Sequence, residues 1–167
     1  MSAPRFLLAA SIGAALAVLP ARAGMPDPAF EKMKALVGEW EGATEHGKVE
    51  VSYRLVSGGT VLMSEIRMPD MPGHDMMTMI HPDGSRVVLT HYCADNNQPR
   101  MVSRGLSADG KTVEFAFLDA TNLASPSAGH MDHVAYRFTD ADHYTEVWTW
   151  KENGTEAPHP FEMTRRK

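Results

Sequence analysis

The feature that most limits what this chain can fold into is a series of short segments in which apolar and polar residues alternate, separated by turn formers. In the clearest of them Val49, Val51, Tyr53 and Leu55 alternate with Glu50, Ser52, Arg54 and Val56. A period of two places successive side chains on opposite faces, so this segment predicts a strand buried on one side. The punctuation comes at Ser57-Gly58-Gly59, Pro69 to Gly73, Pro82-Asp83-Gly84, Asp95 to Asn97, Ala108-Asp109-Gly110, Ser125 to Gly129, Asp140 to Asp142 and Asn153-Gly154. These residues tolerate the backbone conformations that tight hairpins impose. The intervening stretches, 38–46, 48–57, 60–68, 75–82, 85–94, 99–107, 111–119, 130–139, 143–152 and 158–166, predict about ten strands.

Helical spacing occurs once, where Phe30, Met33, Leu36 and Val37 recur between Asp27 and Val37. Asp27 suits the N-cap, Pro28 the first turn and Gly38 the exit. No second helix is long enough to carry a crossover, so the strands are expected to follow one another through hairpins. A meander of this length must hide its edges, and full closure does so most completely. The expected fold is therefore all-β, an antiparallel up-and-down barrel of about ten strands with one short N-terminal helix; a two-sheet sandwich is the alternative. A barrel of that size has a mouth and room for one small ligand.

The first residues point to export. Arg5, an apolar run from Phe6 to Leu19, Pro20 and the small-x-small site Ala21-Arg22-Ala23 make a secretory signal over residues 1–23, cleaved before Gly24. The run is shorter than the roughly 20 residues a spanning helix needs. A periplasmic or secreted protein with no membrane attachment after cleavage is expected, its single domain covering 24–167. Without Arg5 and Arg22, 14 basic residues face 21 acidic ones. That acidic balance disfavours nucleic acid as a partner. Cys93 is the single cysteine, so no internal disulfide forms, and a small buried apolar role is expected for it.

Gly38-Glu39-Trp40, at the junction of helix and first strand, resembles the opening signature of lipocalin-like (calycin) barrels. That resemblance implies structural roles for Trp40, which plugs the closed end, and for Arg165, which covers its ring from the last strand. Phe161, Met163 and Arg165 share one strand face, consistent with a cation–π contact. A longer set, His81-Pro82-Asp83-Gly84, Leu89 to Cys93, Asn97 to Met101, Gly129-His130-Met131, Asp142-His143 and Trp148-Thr149, is similar to a family of secreted bacterial domains of unknown function held to be lipocalin-like. The family implies a fold and brings no substrate, cofactor or catalytic residue. The chain departs from it at Asn96, where a glycine is expected; asparagine tolerates positive φ.

The densest polar stretch runs from Thr90 to Met101. On the strand before it, Val87, Leu89, His91 and Cys93 share the face opposite Arg86 and are expected to point inward. The leading expectation is a small, partly apolar ligand contacted by Tyr53, His91, Arg100 and Trp148, with Asn97 and Gln98 shaping the mouth. His91 is equally readable as a core histidine bonded to a neighbouring strand. An enzyme would use His91 as acid or base, with Glu65, Glu146 and Arg100 as possible companions. Trp148 and Trp150 share a face with Tyr144 and Glu146 and line or plug the interior.

Eight histidines and twelve methionines raise the question of copper, which takes imidazole and thioether ligands. His81, His130 and His133 are the weak metal candidates. In a regular strand His130 and His133 fall on opposite faces, and methionines such as Met77 and Met79 fall at alternating core positions. Heme is a further possibility through His159, although Pro158 and Pro160 make that region look like an irregular edge or strand start. No cofactor is required by the sequence, and oligomeric state is not encoded in any readable motif.

Overall fold

The computed structural model of the chain describes residues 27–44 and 46–167, and the expected signal sequence lies outside them. Helix α1 (Pro28–Met33) starts where Asp27 accepts the Ala29 N–H at 2.8 Å and Pro28 occupies the first turn. It tightens into a 3-10 turn over Lys34–Leu36, and Gly38, at φ +129°, lets the chain leave into the first strand. Ten strands follow: β1 (Gly38–Thr44), β2 (Gly47–Val56), β3 (Val61–Arg67), β4 (Met76–Asp83), β5 (Arg86–Tyr92), β6 (Gln98–Leu106), β7 (Thr112–Thr121), β8 (His130–Phe138), β9 (His143–Glu152) and β10 (Thr155–Arg165).

Each strand pairs antiparallel with the next, and β1 closes on β10, giving a closed barrel. Closure at this seam runs through Trp40↔Arg165, Glu41↔Thr164, Gly42↔Met163 and Ala43↔Glu162. Gly42 permits it, since a Cβ there would lie 2.2 Å from the Glu162 carbonyl oxygen. The expected turn chemistry is present: Asn96 adopts φ +61°, and Gly58, Gly59, Gly84 and Gly110 all lie at positive φ.

Strand β10 departs from expectation. It begins at Thr155, and Pro158, His159 and Pro160 sit inside its ladder with β9 opposite Thr149, Trp148 and Val147. The described register with β1 ends at Ala43↔Glu162, and both prolines lie beyond it. Proline is tolerated on an edge, where a missing N–H breaks no ladder bond.

An up-and-down path puts the β1–β2, β3–β4, β5–β6, β7–β8 and β9–β10 connections at one end. The other end is closed by α1, which reaches β4, β6 and β7 and buries Phe30, Met33 and Leu36 in the core with Trp40. The Trp40 indole donates to the Leu36 carbonyl at 2.7 Å, and the Arg165 guanidinium lies 4.1 Å above its ring. Arg165 also donates to the carbonyls of Val37 (2.9 Å), Ala35 (2.8 Å) and Ala141 (3.0 Å), tying helix, seam and the β8–β9 turn together. One parity expectation fails: Thr78 and Ile80 are the buried residues of β4, while Met77 and Met79 are only half-buried on the opposite face. The two methionines flank the inward positions and do not occupy them.

Candidate functional site

The barrel interior carries a polar layer at mid-height. Tyr53, Ser64, Thr78 and His91 are successive register partners on β2 to β5, and all four are buried. From the opposite wall come Tyr136 on β8 and Tyr144, Glu146 and Trp148 on β9, all at most 2 % exposed. The Glu146 carboxylate accepts hydrogen bonds from the Tyr53 hydroxyl (2.9 Å), the Tyr144 hydroxyl (3.2 Å) and the Trp148 indole N–H (2.6 Å). The two tyrosine hydroxyls are themselves 3.0 Å apart. Burial pushes the Glu146 carboxyl above its usual range despite these donors, and burial with the adjoining Glu146 charge drives the three tyrosines well above theirs.

His91 is sealed into this layer. Its Nδ1 shares a 2.9 Å hydrogen bond with the Thr78 hydroxyl, its ring packs 4.4 Å from that of Trp148, and burial lowers its pKa to about 4. Its Nε2 and the Ser64 hydroxyl are buried with no hydrogen-bond partner among the described residues. A neutral imidazole enclosed on all sides fits the core-histidine alternative better than a group meeting a ligand.

The cavity lies one layer higher, at the open end. It has a volume of about 470 Å³. Met76, Cys93 and Trp150 stand two residues beyond Thr78, His91 and Trp148 on the same strand faces, and with Met68, Met131 and Phe161 they form its apolar wall. His46, His74 and His159 bring imidazoles to the rim, and the His46 and His159 rings are 6.1 Å apart. Ala94 and Asp95 close the β5–β6 side, where Cys93 points in with its thiol raised by burial to about 11. Gly129 is fixed by this wall, because a Cβ there would fall 2.1 Å from the Trp150 ring.

The predicted ligand contacts therefore separate. Tyr53, His91 and Trp148 form the layer beneath the cavity and do not line it. The bore is filled at their level because four large rings and Glu146 converge there. Asn97 is buried in the β5–β6 turn, donating to the Gly129 carbonyl at 3.0 Å. Gln98 accepts from the Thr121 hydroxyl at 2.8 Å on an exposed surface. Arg100 is exposed on the outer wall, paired with Asp119 through Nε at 2.6 Å and through a second contact. Glu65 is also outside, bonded to Arg54 at 2.8 Å, so it and Arg100 do not meet His91 and Glu146.

The metal candidates are placed differently from the expectation. Between Met131 and His133 the β8 register shifts, so Met131 lines the mouth while Val134 already returns to the core. This bulge at Asp132 puts His130 and His133 on the same outer side. They still do not chelate together: His130 Nδ1 bonds the Ala128 carbonyl at 2.8 Å and its ring packs on Phe117. Both imidazoles approach the Asp132 carboxylate, His130 Nε2 at 3.8 Å and His133 Nδ1 at 3.1 Å, and His133 also nears Glu156, but Lys151 Nζ sits 3.2 Å from Asp132 and 3.5 Å from Glu156, so an ammonium already supplies the positive charge. Burial opposes ionisation of Asp132, yet the bonds from His133 and Lys151 outweigh it and hold the carboxyl below its usual range. His81 Nδ1 lies 3.0 Å from the adjacent Pro82 carbonyl, remote from any such group among the described residues.

Fold and cavity together define a closed ten-stranded antiparallel barrel, plugged at one end by a short helix and open at the other. Among solved structures the chain is similar to Rv2717c from M. tuberculosis, with a TM-score of 0.61 and 19 % sequence identity over 84 % of this chain and 98 % of that one. At that identity the likeness shows the shared barrel fold alone. No protein-family model and no curated protein matches the sequence.

Proposed function

We propose that the protein is a binding module that takes a small, largely apolar molecule into the mouth cavity. The observation that carries this reading is a wall of Met68, Met76, Met131, Trp150 and Phe161 around about 470 Å³, with a few imidazoles at the rim. That volume falls within the range of small-molecule sites, and an apolar wall with few polar groups is their usual chemistry. Export to the periplasm or beyond belongs to the same proposal, supported by the signal-like residues 1–23 and by the resemblance of the chain's motifs to those of a secreted family. Native mass spectrometry of protein from its own host should reveal a retained organic ligand. Titration with a fluorescent apolar probe should show one site, and the cavity-filling Ala94→Trp should weaken it at least tenfold without lowering the melting temperature. Unchanged probe affinity in that variant would place binding elsewhere.

One observation favours a porphyrin within this class: the His159 imidazole, carried on β10, faces the cavity beside Phe161 and across from Met76 and Met131. Histidine supplies an axial ligand for heme iron, and the apolar wall suits the ring. Hemin titration should then give a sharp Soret band that His159→Ala abolishes. A spectrum that stays that of free hemin removes this second reading and leaves the first intact.

A further inference from the structure

The β3–β4 connection, residues 68–75, carries soft donors that border one cavity. Met71 N–H donates to the Met68 carbonyl at 2.9 Å, and His74 N–H donates to the Met71 carbonyl at 3.1 Å. Two consecutive β-turns thus separate Met68, Met71 and His74, and all three border the mouth cavity together with Met76. Core packing accounts for only one of them. Met68 is 6 % exposed, whereas Met71 and Met76 are half-buried and His74 is exposed.

Thioether sulfur is neutral, polarizable and a poor ligand for hard cations, and with imidazole it selects copper(I) over magnesium, calcium or manganese. A mostly apolar wall also favours an ion of single charge held by neutral donors, because each further buried charge must be compensated. We propose that this rim binds one copper(I) ion through the thioethers of Met68, Met71 and Met76 and the imidazole of His74. The site goes beyond the apolar-ligand reading and does not depend on it. Cys93 faces the same cavity from the β5–β6 side, where its thiol donates to the Asp95 carboxylate at 3.5 Å.

The test uses the full purified chain, loaded anaerobically with copper(I) in competition with a chromogenic copper(I) chelator. The native protein should retain one equivalent. The double variant Met68→Leu/Met71→Leu should lose at least tenfold in affinity while its circular dichroism stays native, since leucine conserves the volume. Silver(I) added to protein carrying ¹³C-labelled methionine methyls should shift the signals of Met68, Met71 and Met76. Failure to compete with the chelator, unchanged affinity in the double variant, or silver shifts confined to other methionines would each overturn the proposal.

Discussion

Glu146 is the residue at which the interior layer can be tested most directly. In Glu146→Ala the acceptor for Tyr53, Tyr144 and Trp148 disappears. The two hydroxyls, 3.0 Å apart, can satisfy one proton between them, which strands one hydroxyl and the Trp148 N–H. At about 1–3 kcal/mol for each buried unpaired donor, plus the packing lost with the side chain, the cost comes to roughly 3–7 kcal/mol. That is a large share of the ~5–15 kcal/mol typical of a domain. Glu146→Gln keeps the shape, with its oxygen toward Trp148 and its amide toward the tyrosine oxygens, and should cost less than about 1.5 kcal/mol near pH 5. The carboxyl pKa is raised in the fold, so the native state holds a proton that the unfolded chain releases above about pH 4.5. Native stability should therefore fall relative to the Gln variant as pH rises from there, by at most about 1.4 kcal/mol per unit. Urea unfolding of the three proteins between pH 5 and 8 measures both effects. A cost below about 1 kcal/mol for Ala, or a native-to-Gln gap that stays flat with pH, would refute the account.

His91, with a folded pKa of about 4 against an ordinary 6.5, should show no imidazole titration by NMR between pH 5.5 and 8. The unfolded chain takes up a proton below pH 6.5 that folded His91 refuses, so stability should drop by roughly 3 kcal/mol between there and pH 4, a drop that His91→Gln removes. Arg165→Lys keeps the charge but loses the fork that spans Ala35, Val37 and Ala141, and should cost about 2 kcal/mol, read as a melting shift of about 5 °C. Gly42→Ala forces apart backbones that would meet at 2.2 Å and should cost at least ~2 kcal/mol, with faster amide exchange confined first to β1 and β10.

The alternation of Val49, Val51 and Tyr53 and the Gly/Asn/Asp turns made the ten strands readable, because period and punctuation are local properties of the chain. Trp40 with Arg165 was readable too, from the Gly-x-Trp opening and the shared face of Phe161, Met163 and Arg165. The height of the cavity was not. Strand period says that His91 and Cys93 point inward, but only the summed volume of Tyr53, Tyr136, Tyr144 and Trp148 decides that the bore is full at His91 and open at Cys93. Those rings come from strands distant in sequence. Arg100 itself keeps the strand alternation, exposed between buried Pro99 and Met101, so its outward face follows from the period; the side taken by His133 does not, because the bulge at Asp132 turned His130 and His133 to one side. A single inserted residue reverses every parity argument beyond it. The mouth left one signal in the sequence, the His and Met cluster from His74 to Met79, of which His74 and Met76 are the members that face the cavity.

The seam between β1 and β10 has a kinetic consequence. Every other strand pair joins neighbours through a short connection, but Trp40 and Arg165 are about 125 residues apart. Bringing such distant ends together costs about 2 kcal/mol more chain entropy than closing a ten-residue hairpin. The meander should therefore zip up along its length and meet its own end last, and until then it is an open ribbon with two unpaired margins. A chain held in that state presents β10 to any other copy whose β1 is also waiting. Weakening the Trp40–Arg165 clasp thus favours strand exchange between molecules as well as lowering stability.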